Sequence, residues 1–224
     1  MDSLALLGCF GLRRGAREVR VSGPGQRVLA YLAVHGPTSR AVVAGTLWPD
    51  VRQERADGSL RTTVWRLSQD EVLTCRNEVL ELPSGIAVDV AVLRSRALEL
   101  LAGAIPPVGE RHALACGELL PGWGDDWVRI ERERLHQLRL HALESLVDNL
   151  LAGRRHAEAM EAATLAVGLA PLRESAHRAV IAVHLAQGDL AHAVLHFRDF
   201  EDILRRECGL VPSVRIRTML AGNI

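Results

Sequence analysis
Hydrophobic positions along the chain change their period once, near residue 89. Upstream, short alternating runs are mixed with short helical stripes, whereas downstream a spacing near 3.6 persists almost to the end. The upstream region begins with two predicted strands, residues 4–10 and 19–21, joined through the turn-prone pair Arg14-Gly15. Pro24 suits a first helical position, and Val28, Leu29, Leu32 and Ala33 share one face of a helix that stops at Gly36-Pro37. Thr38 or Ser39 can cap a second helix with an expected inward stripe of Val42, Val43 and Leu47, closed by Trp48-Pro49. A third helix is predicted over residues 54–68. Its apolar stripe is Ala56, Leu60, Val64 and Leu67, and its other side carries Arg55, Thr62, Trp65, Arg66 and Gln69. Strands over residues 72–75 and 79–82, around a turn at Arg76, Asn77 and Glu78, predict a short hairpin wing.

Downstream, Val92, Leu93, Ala97, Leu100 and Leu101 start the first of several amphipathic helices. Turn-forming residues at 103–107 and 120–124 separate it from a long helical segment over residues 127–151. Leu151-Ala152 recurs as Leu185-Ala186, Ala157 as Ala191 and Ala159 as Ala193, each 34 residues on. That is the period of tetratricopeptide helix pairs, with Ala166 and Pro171 at the small and terminating positions and Phe197 and Phe200 at packing positions of the second copy. Two unrelated helical hairpins are the competing explanation. Such repeats usually form an interaction surface.

At 224 residues and 48% apolar, the chain can hold one large domain or two modest ones. Its 27 basic residues are all arginine and balance 27 acids; residues 1–95 hold 12 arginines against 10 acids, and residues 96–224 hold 15 against 17. A neutral chain does not coat polyanions indiscriminately, so nucleic-acid binding must come from a local patch. Cys9, Cys75, Cys116 and Cys208 lie far apart without a CxxC pair, which predicts reduced thiols and a cytoplasmic protein, nucleoid-associated if it binds DNA. The amino-terminal apolar run follows Asp2 and lacks a basic flank, so it is a poor signal peptide. No apolar segment approaches the ~20 residues of a membrane span, and no membrane partner is expected.

The outer face of the third helix offers arginines, a hydroxyl, an amide and an indole, a mixture suited to phosphates and base edges. The alternative for Arg55 and Arg66 is pairing with Glu54, Asp57 or Asp70, and which of the two would read a base is left open. Thr62 can meet a thymine methyl or a phosphate, Ser59, nearer the edge of the helix, a phosphate, and Gly58 permits close backbone approach. Trp65 is expected to pack under a loop or wing, with DNA contact as the alternative. Gln26, Arg27 and Arg40 sit beside helix amino termini, where backbone N–H groups attract phosphate; ordinary solvation is the alternative. His192 and His196 are four apart but have no third ligand placed by sequence, so no metal site is expected. Glu131 and Glu133 with Arg129, Arg132 and Arg134 read as a solvated, ion-paired helix face. Without a Walker loop, a GxGxxG after a strand or a GxSxG elbow, neither catalysis nor a cofactor is expected.

Several stretches together resemble the SARP family of actinobacterial transcriptional activators: LLGCFGL, GPGQRVLAYLAVHG, LWPD, ADGSLRTTVWRL, LLPGWGDDWVRIERERLHQLRLHALE and ECGLVPSVRIRTML. They cover nearly the whole chain. The resemblance implies an α+β OmpR-like winged helix-turn-helix domain over residues 1–88, followed by an all-α, tetratricopeptide-like bacterial transcriptional activation domain over residues 89–224. It also implies double-stranded DNA with a direct-repeat operator as partner, RNA polymerase including its sigma factor as a second, and a homodimer on DNA. Carried over by position, ADGSLRTTVWRL is the recognition helix with Arg66 at a frequent arginine position, and the wing maps to Arg76-Asn77. Trp65 replaces a small polar residue common in the family, Gly124 stands where an aromatic is common, and the wing is short. The expected DNA contacts are Arg55, Ser59, Arg61, Thr62, Trp65, Arg66, Gln26, Arg27, Arg40, Arg76 and Asn77. The alternative function is a protein-interaction or signal-responsive module whose helical domain binds another regulator or ligand, with the winged helix used for docking.

Overall fold
A computed structural model of the chain describes residues 1–107, 114 and 117–222; Cys116 lies outside the described residues. The chain forms two compact units, Met1–Arg94 with Cys116–Leu135, and Ser95–Ala115 with His136–Ile224. A small β-containing region at the amino end is followed by helices.

In chain order the first unit runs β1 (Asp2–Ala5), β2 (Gly11–Arg14), β3 (Arg17–Glu18), α1 (Gly23–His35), β4 (Thr38–Ser39), α2 (Arg40–Leu47), α3 (Gln53–Gln69), β5 (Thr74–Arg76), β6 (Val79–Glu81), β7 (Ile86–Val88) and the start of α4 (Asp89–Leu101). One sheet has the order β3-β2-β1-β7, with β1 antiparallel to β2 and parallel to β7. The strand predicted to reach residue 10 stops at Ala5. The Leu6 and Leu7 N–H groups donate to the Asp89 carboxylate at 2.9–3.0 Å, and Gly8, at φ 85°, turns the chain. The strand predicted at 19–21 is displaced to β3 by a tight turn in which Gly15 adopts φ 56°. β4 and β7 went unpredicted because two or three residues are too few to show an alternation.

α3 is held by the stripe that the spacing marks out, α1 and α2 by most of theirs. On α3, Ala56, Leu60, Val64 and Leu67 are buried, and each large one contributes about 1.5–3 kcal/mol of transfer free energy. α1 and α3 meet at Gly25, where an added Cβ would lie 2.8 Å from Val21 Cγ1 and 3.3 Å from Leu67 Cδ2. Ser39 caps α2 by accepting from the Val42 N–H. Val42 itself is 49% exposed, because the inward face of α2 is Val43, Ala44 and Leu47, spaced i, i+1, i+4. The second sheet has the order β4-β6-β5 and ties the hairpin to the α1–α2 connection through Thr38↔Leu80 and Ser39↔Val79.

The second unit holds the end of α4 and, from His136 onward, α5 (Asp126–Ala152), then α6 (His156–Leu169), α7 (Glu174–Ala186), α8 (Leu190–Cys208) and α9 (Val214–Ala221). Ala97 and Leu100 of α4 are buried, but Leu101 and, in the first unit, Val92 of the predicted stripe are exposed. α7 packs on both α6 and α8. The 34-residue offset reappears in the backbone. Gly153, Arg154 and Arg155 N–H donate to Asn149, Leu151 and Leu150 carbonyls, and Gln187, Gly188 and Asp189 do the same to Val183, Leu185 and His184. Arg154 and Gly188, 34 apart, both take positive φ. Alanines at 162, 163 and 166 with Leu143, Val147 and Val180 form one buried cluster, and Ile181, Phe200 and Ile216 another.

Candidate nucleic-acid interface
Opposite its buried stripe, α3 exposes Arg55, Ser59, Arg61, Thr62, Trp65, Arg66 and Gln69. Positions 55, 59, 62 and 66 are spaced i, i+4, i+7, i+11, so they form one line about 16 Å long. Among the described residues, the side chains of Arg55, Arg61 and Arg66 make no ion pair or hydrogen bond, so the expected alternative of pairing with Glu54, Asp57 or Asp70 is not realised. Asp57 accepts from Gln53 at 2.9 Å, and the Asp70 carbonyl from Arg14 at 2.7 Å. The Thr62 hydroxyl donates to the Gly58 carbonyl at 3.1 Å, leaving its methyl and an oxygen lone pair outward. Trp65 is 63% exposed and is not packed under the wing, because it lies on the far side of the helix from Leu60 and Leu67. Arg52, three residues before Arg55, is also exposed and unpaired among the described residues, and the reading of the sequence overlooked it because it precedes the periodic stretch.

The hairpin β5–β6 turns through Asn77 and Glu78, both with positive φ (48° and 62°), as a two-residue loop of the twist-compatible type requires. Arg76 and Asn77 are exposed at this tip. Arg40 reaches the same tip from the start of α2: its N–H donates to the Glu78 carbonyl at 2.9 Å and its Nε lies 3.6 Å from the Glu78 carboxylate. Gln26 and Arg27, both half-buried, are engaged within the chain. Gln26 Nε2 donates to the Val21 carbonyl at 2.9 Å, and Arg27 pairs with Asp125 through Nε at 2.9 Å and through a second guanidinium nitrogen, with its guanidinium 6.0 Å from the Trp48 ring.

That Asp125 pair belongs to a cluster that sequence reasoning misplaced. Trp127, Val128, Glu131 and Leu135 form the inward stripe of early α5, so Glu131 occupies a core position, 5% exposed, rather than a solvated face. Its carboxylate accepts from Arg94 at 2.6 Å and from Arg134 at 2.5 Å, with His35 Nε2 at 3.8 Å, while Arg94 also donates to the Val34 carbonyl at 2.7 Å. Tyr31 stacks on His35 at 4.2 Å and meets Trp127 edge-on at 5.3 Å. The GWGDDW-to-RIER stretch thus clamps α1 within the first unit.

No group of three or more His, Cys, Asp or Glu among the described residues could hold a metal. His192 instead bonds Asp189 at 2.6 Å, lowering that carboxyl through hydrogen bonding to the amino terminus of α8, and His196 meets His177 at 3.1 Å. Burial and the neighbouring His177 push His196 down to about 4, and burial lowers His177 as well. Cys9, Cys75 and Cys208 are free and exposed. No helix among the described residues is long and apolar enough to cross a membrane.

Residues 90–221 match the family described as bacterial transcriptional activator domain. Mycobacterium tuberculosis EmbR, solved in complex with a low-affinity phosphopeptide, has a similar fold, with a TM-score of 0.73 at 18% identity over 99% of this chain. The chain spans 64% of the length of that EmbR chain. No curated protein matches the sequence significantly.

Proposed function
The chain belongs to the bacterial transcriptional activator domain family and is a SARP-type transcriptional regulator, and from that premise we propose that it activates transcription by binding a direct-repeat operator in double-stranded DNA as a homodimer and recruiting RNA polymerase, including its sigma factor. In this reading residues 1–88 act as a winged helix-turn-helix, with α3 entering the major groove and the β5–β6 tip reaching the flanking backbone. Residues 89–224 act as a tetratricopeptide-like activation domain that sets the spacing of two protomers. A transcription regulator of this kind carries out no catalysis of its own.

The observation that carries the proposal is the line Arg55, Ser59, Thr62, Arg66 on α3, whose guanidiniums have no partner within the chain among the described residues. Arginine binds guanine O6 and N7 in a bidentate fashion, discriminating by about 1–3 kcal/mol, and hydroxyls suit phosphates. Arg61, Trp65, Arg76, Asn77 and Arg40 flank that line or the wing tip and complete the proposed contact set. Gln26 and Arg27, engaged internally, contribute by holding α1 in place.

Genome-wide footprinting of the protein tests the proposal. Protected direct repeats upstream of promoters, with half-sites a helical turn or a multiple apart, are the expected result. Uniform, sequence-independent protection, or none at physiological salt, would overturn it.

A further inference from the structure
In the second unit, α5, α7 and α9 line a groove of about 590 Å³, within the ~300–1,000 Å³ range of ligand sites. Each helix contributes one face: Glu144 and Asp148 from α5, Ser175, Arg178, Ala179 and Ala182 from α7, and Arg215, Thr218 and Met219 from α9. The alanines keep the floor low. The charges around it are unevenly satisfied. Glu144 is neutralised, accepting from Arg173 Nε at 2.9 Å and from the Ser175 hydroxyl at 2.6 Å. Arg178 and Arg215 have no ion pair or hydrogen bond among the described residues, and Arg178 Nε is buried without an acceptor. A guanidinium without a carboxylate partner keeps donors for an incoming anion. Asp148, without a side-chain hydrogen bond among the described residues, leaves its oxygens open to a hydrogen-bond donor, and partial burial and the nearby Glu144 raise its carboxyl.

We propose that this groove binds an extended acidic segment of a partner protein, with a ligand carboxylate held by Arg178 and Arg215 and peptide N–H groups donating toward Asp148. Two guanidiniums lining one groove, Arg178 from α7 and Arg215 from α9, complement a carboxylate as a planar acceptor. An extended chain fits a groove lined by successive helices better than a compact anion, which would leave the Asp148 side unoccupied. This inference goes beyond the DNA-binding reading and does not depend on it.

An immobilised array of random octapeptides, each holding two glutamates, probed with the full chain, tests it against a matched array with glutamine in their place. Capture by a subset of the glutamate peptides is expected, falling about tenfold or more (~1.4 kcal/mol) in both R178Q and R215Q. Melting temperature and capture should be unchanged in R55Q and R66Q, which alter the DNA-facing helix. Equal capture by both arrays, no capture by either, or loss in R55Q and R66Q but not in R178Q would overturn the proposal. Competition by millimolar glutarate or phosphate as effective as the best free peptide would replace the segment with a small anion, and also overturn it.

Discussion

Two helical segments of the first unit carry similar numbers of charges and use them in opposite ways. Over α3 there are three arginines and two acids, and over residues 126–135 of α5 there are three arginines and three acids. In α5 Arg129 pairs with Asp126 at 3.1 Å, Arg132 with Glu118 at 2.7 Å and Arg134 with Glu131 at 2.5 Å. In α3 none of Arg55, Arg61 and Arg66 is paired among the described residues. The difference lies in where the acids fall. Glu131 sits on the buried stripe, where an unpaired carboxylate would be untenable, so it draws in cations. Glu54 and Asp57 of α3 are not on its buried stripe and compel nothing, so each guanidinium keeps its five donors for an incoming acceptor. Charge counts do not distinguish an interface from a clamp; whether an acid lies within reach of each arginine does, and a buried acid such as Glu131 makes the pairing obligatory.

The largest expected effect breaks the clamp. Glu131→Gln leaves Arg94 and Arg134 without their shared carboxylate, and should cost about 3 kcal/mol, or roughly 10 °C in Tm by calorimetry. DNA affinity measured well below that Tm should be unchanged. A shift under about 2 °C would place Glu131 with the exposed pairs.

Next come the free arginines. Arg66→Ala and Arg55→Ala should each leave stability within about 0.5 kcal/mol of the parent while lowering operator affinity, by about 1–3 kcal/mol for whichever one reads a base. Gel-shift titration against operator and scrambled duplexes reads both. Equal losses on the two duplexes would assign that arginine to phosphate alone.

The His177–His196 pair supplies a smaller, reversible effect in the second unit. Both histidines are held neutral, with folded pKa values below the usual 6.5, so the unfolded chain takes up more protons between about 4 and 6.5. Stability is therefore present above the unfolded value and lost as pH falls through that window. Tm should drop by several degrees from pH 7 to 4.5, and His196→Gln should flatten the dependence. An unchanged slope in that variant would assign the acid sensitivity to other groups. The smallest effect is expected at Arg129, whose pair with Asp126 is almost fully solvated: Arg129→Gln should change Tm and DNA affinity by no more than experimental scatter.

Much of this could be read from spacing, and most of the failures are contacts between residues far apart in sequence. The α3 stripe, the Ser39 cap, the hairpin turn at Asn77 and the 34-residue offset are local patterns, and each has a structural counterpart. Glu131 was misread, and the internal pairing of Arg27 was not foreseen, because their partners, Arg94 and Asp125, lie 37 and 98 residues away, and no local period encodes such a contact. Trp65 was assigned to packing on general preference for aromatics, whereas its angular position on the helix already pointed outward. β4 and β7 are defined by their partners rather than by their own residues. The groove charges of Arg178 and Arg215 come together only once α7 and α9 are in place.

If the unpaired arginines of α3 read DNA, removing them must erase operator preference without touching stability. Fluorescence-anisotropy titrations of a footprinted operator and a scrambled duplex, across a salt series, would compare the parent with the Arg55→Ala/Arg66→Ala double variant. The parent should prefer the operator by about 10³-fold or more, and the double variant should lose most of that preference with a shallower salt dependence and an unchanged Tm. A double variant that keeps the full preference and the same salt slope would contradict the account.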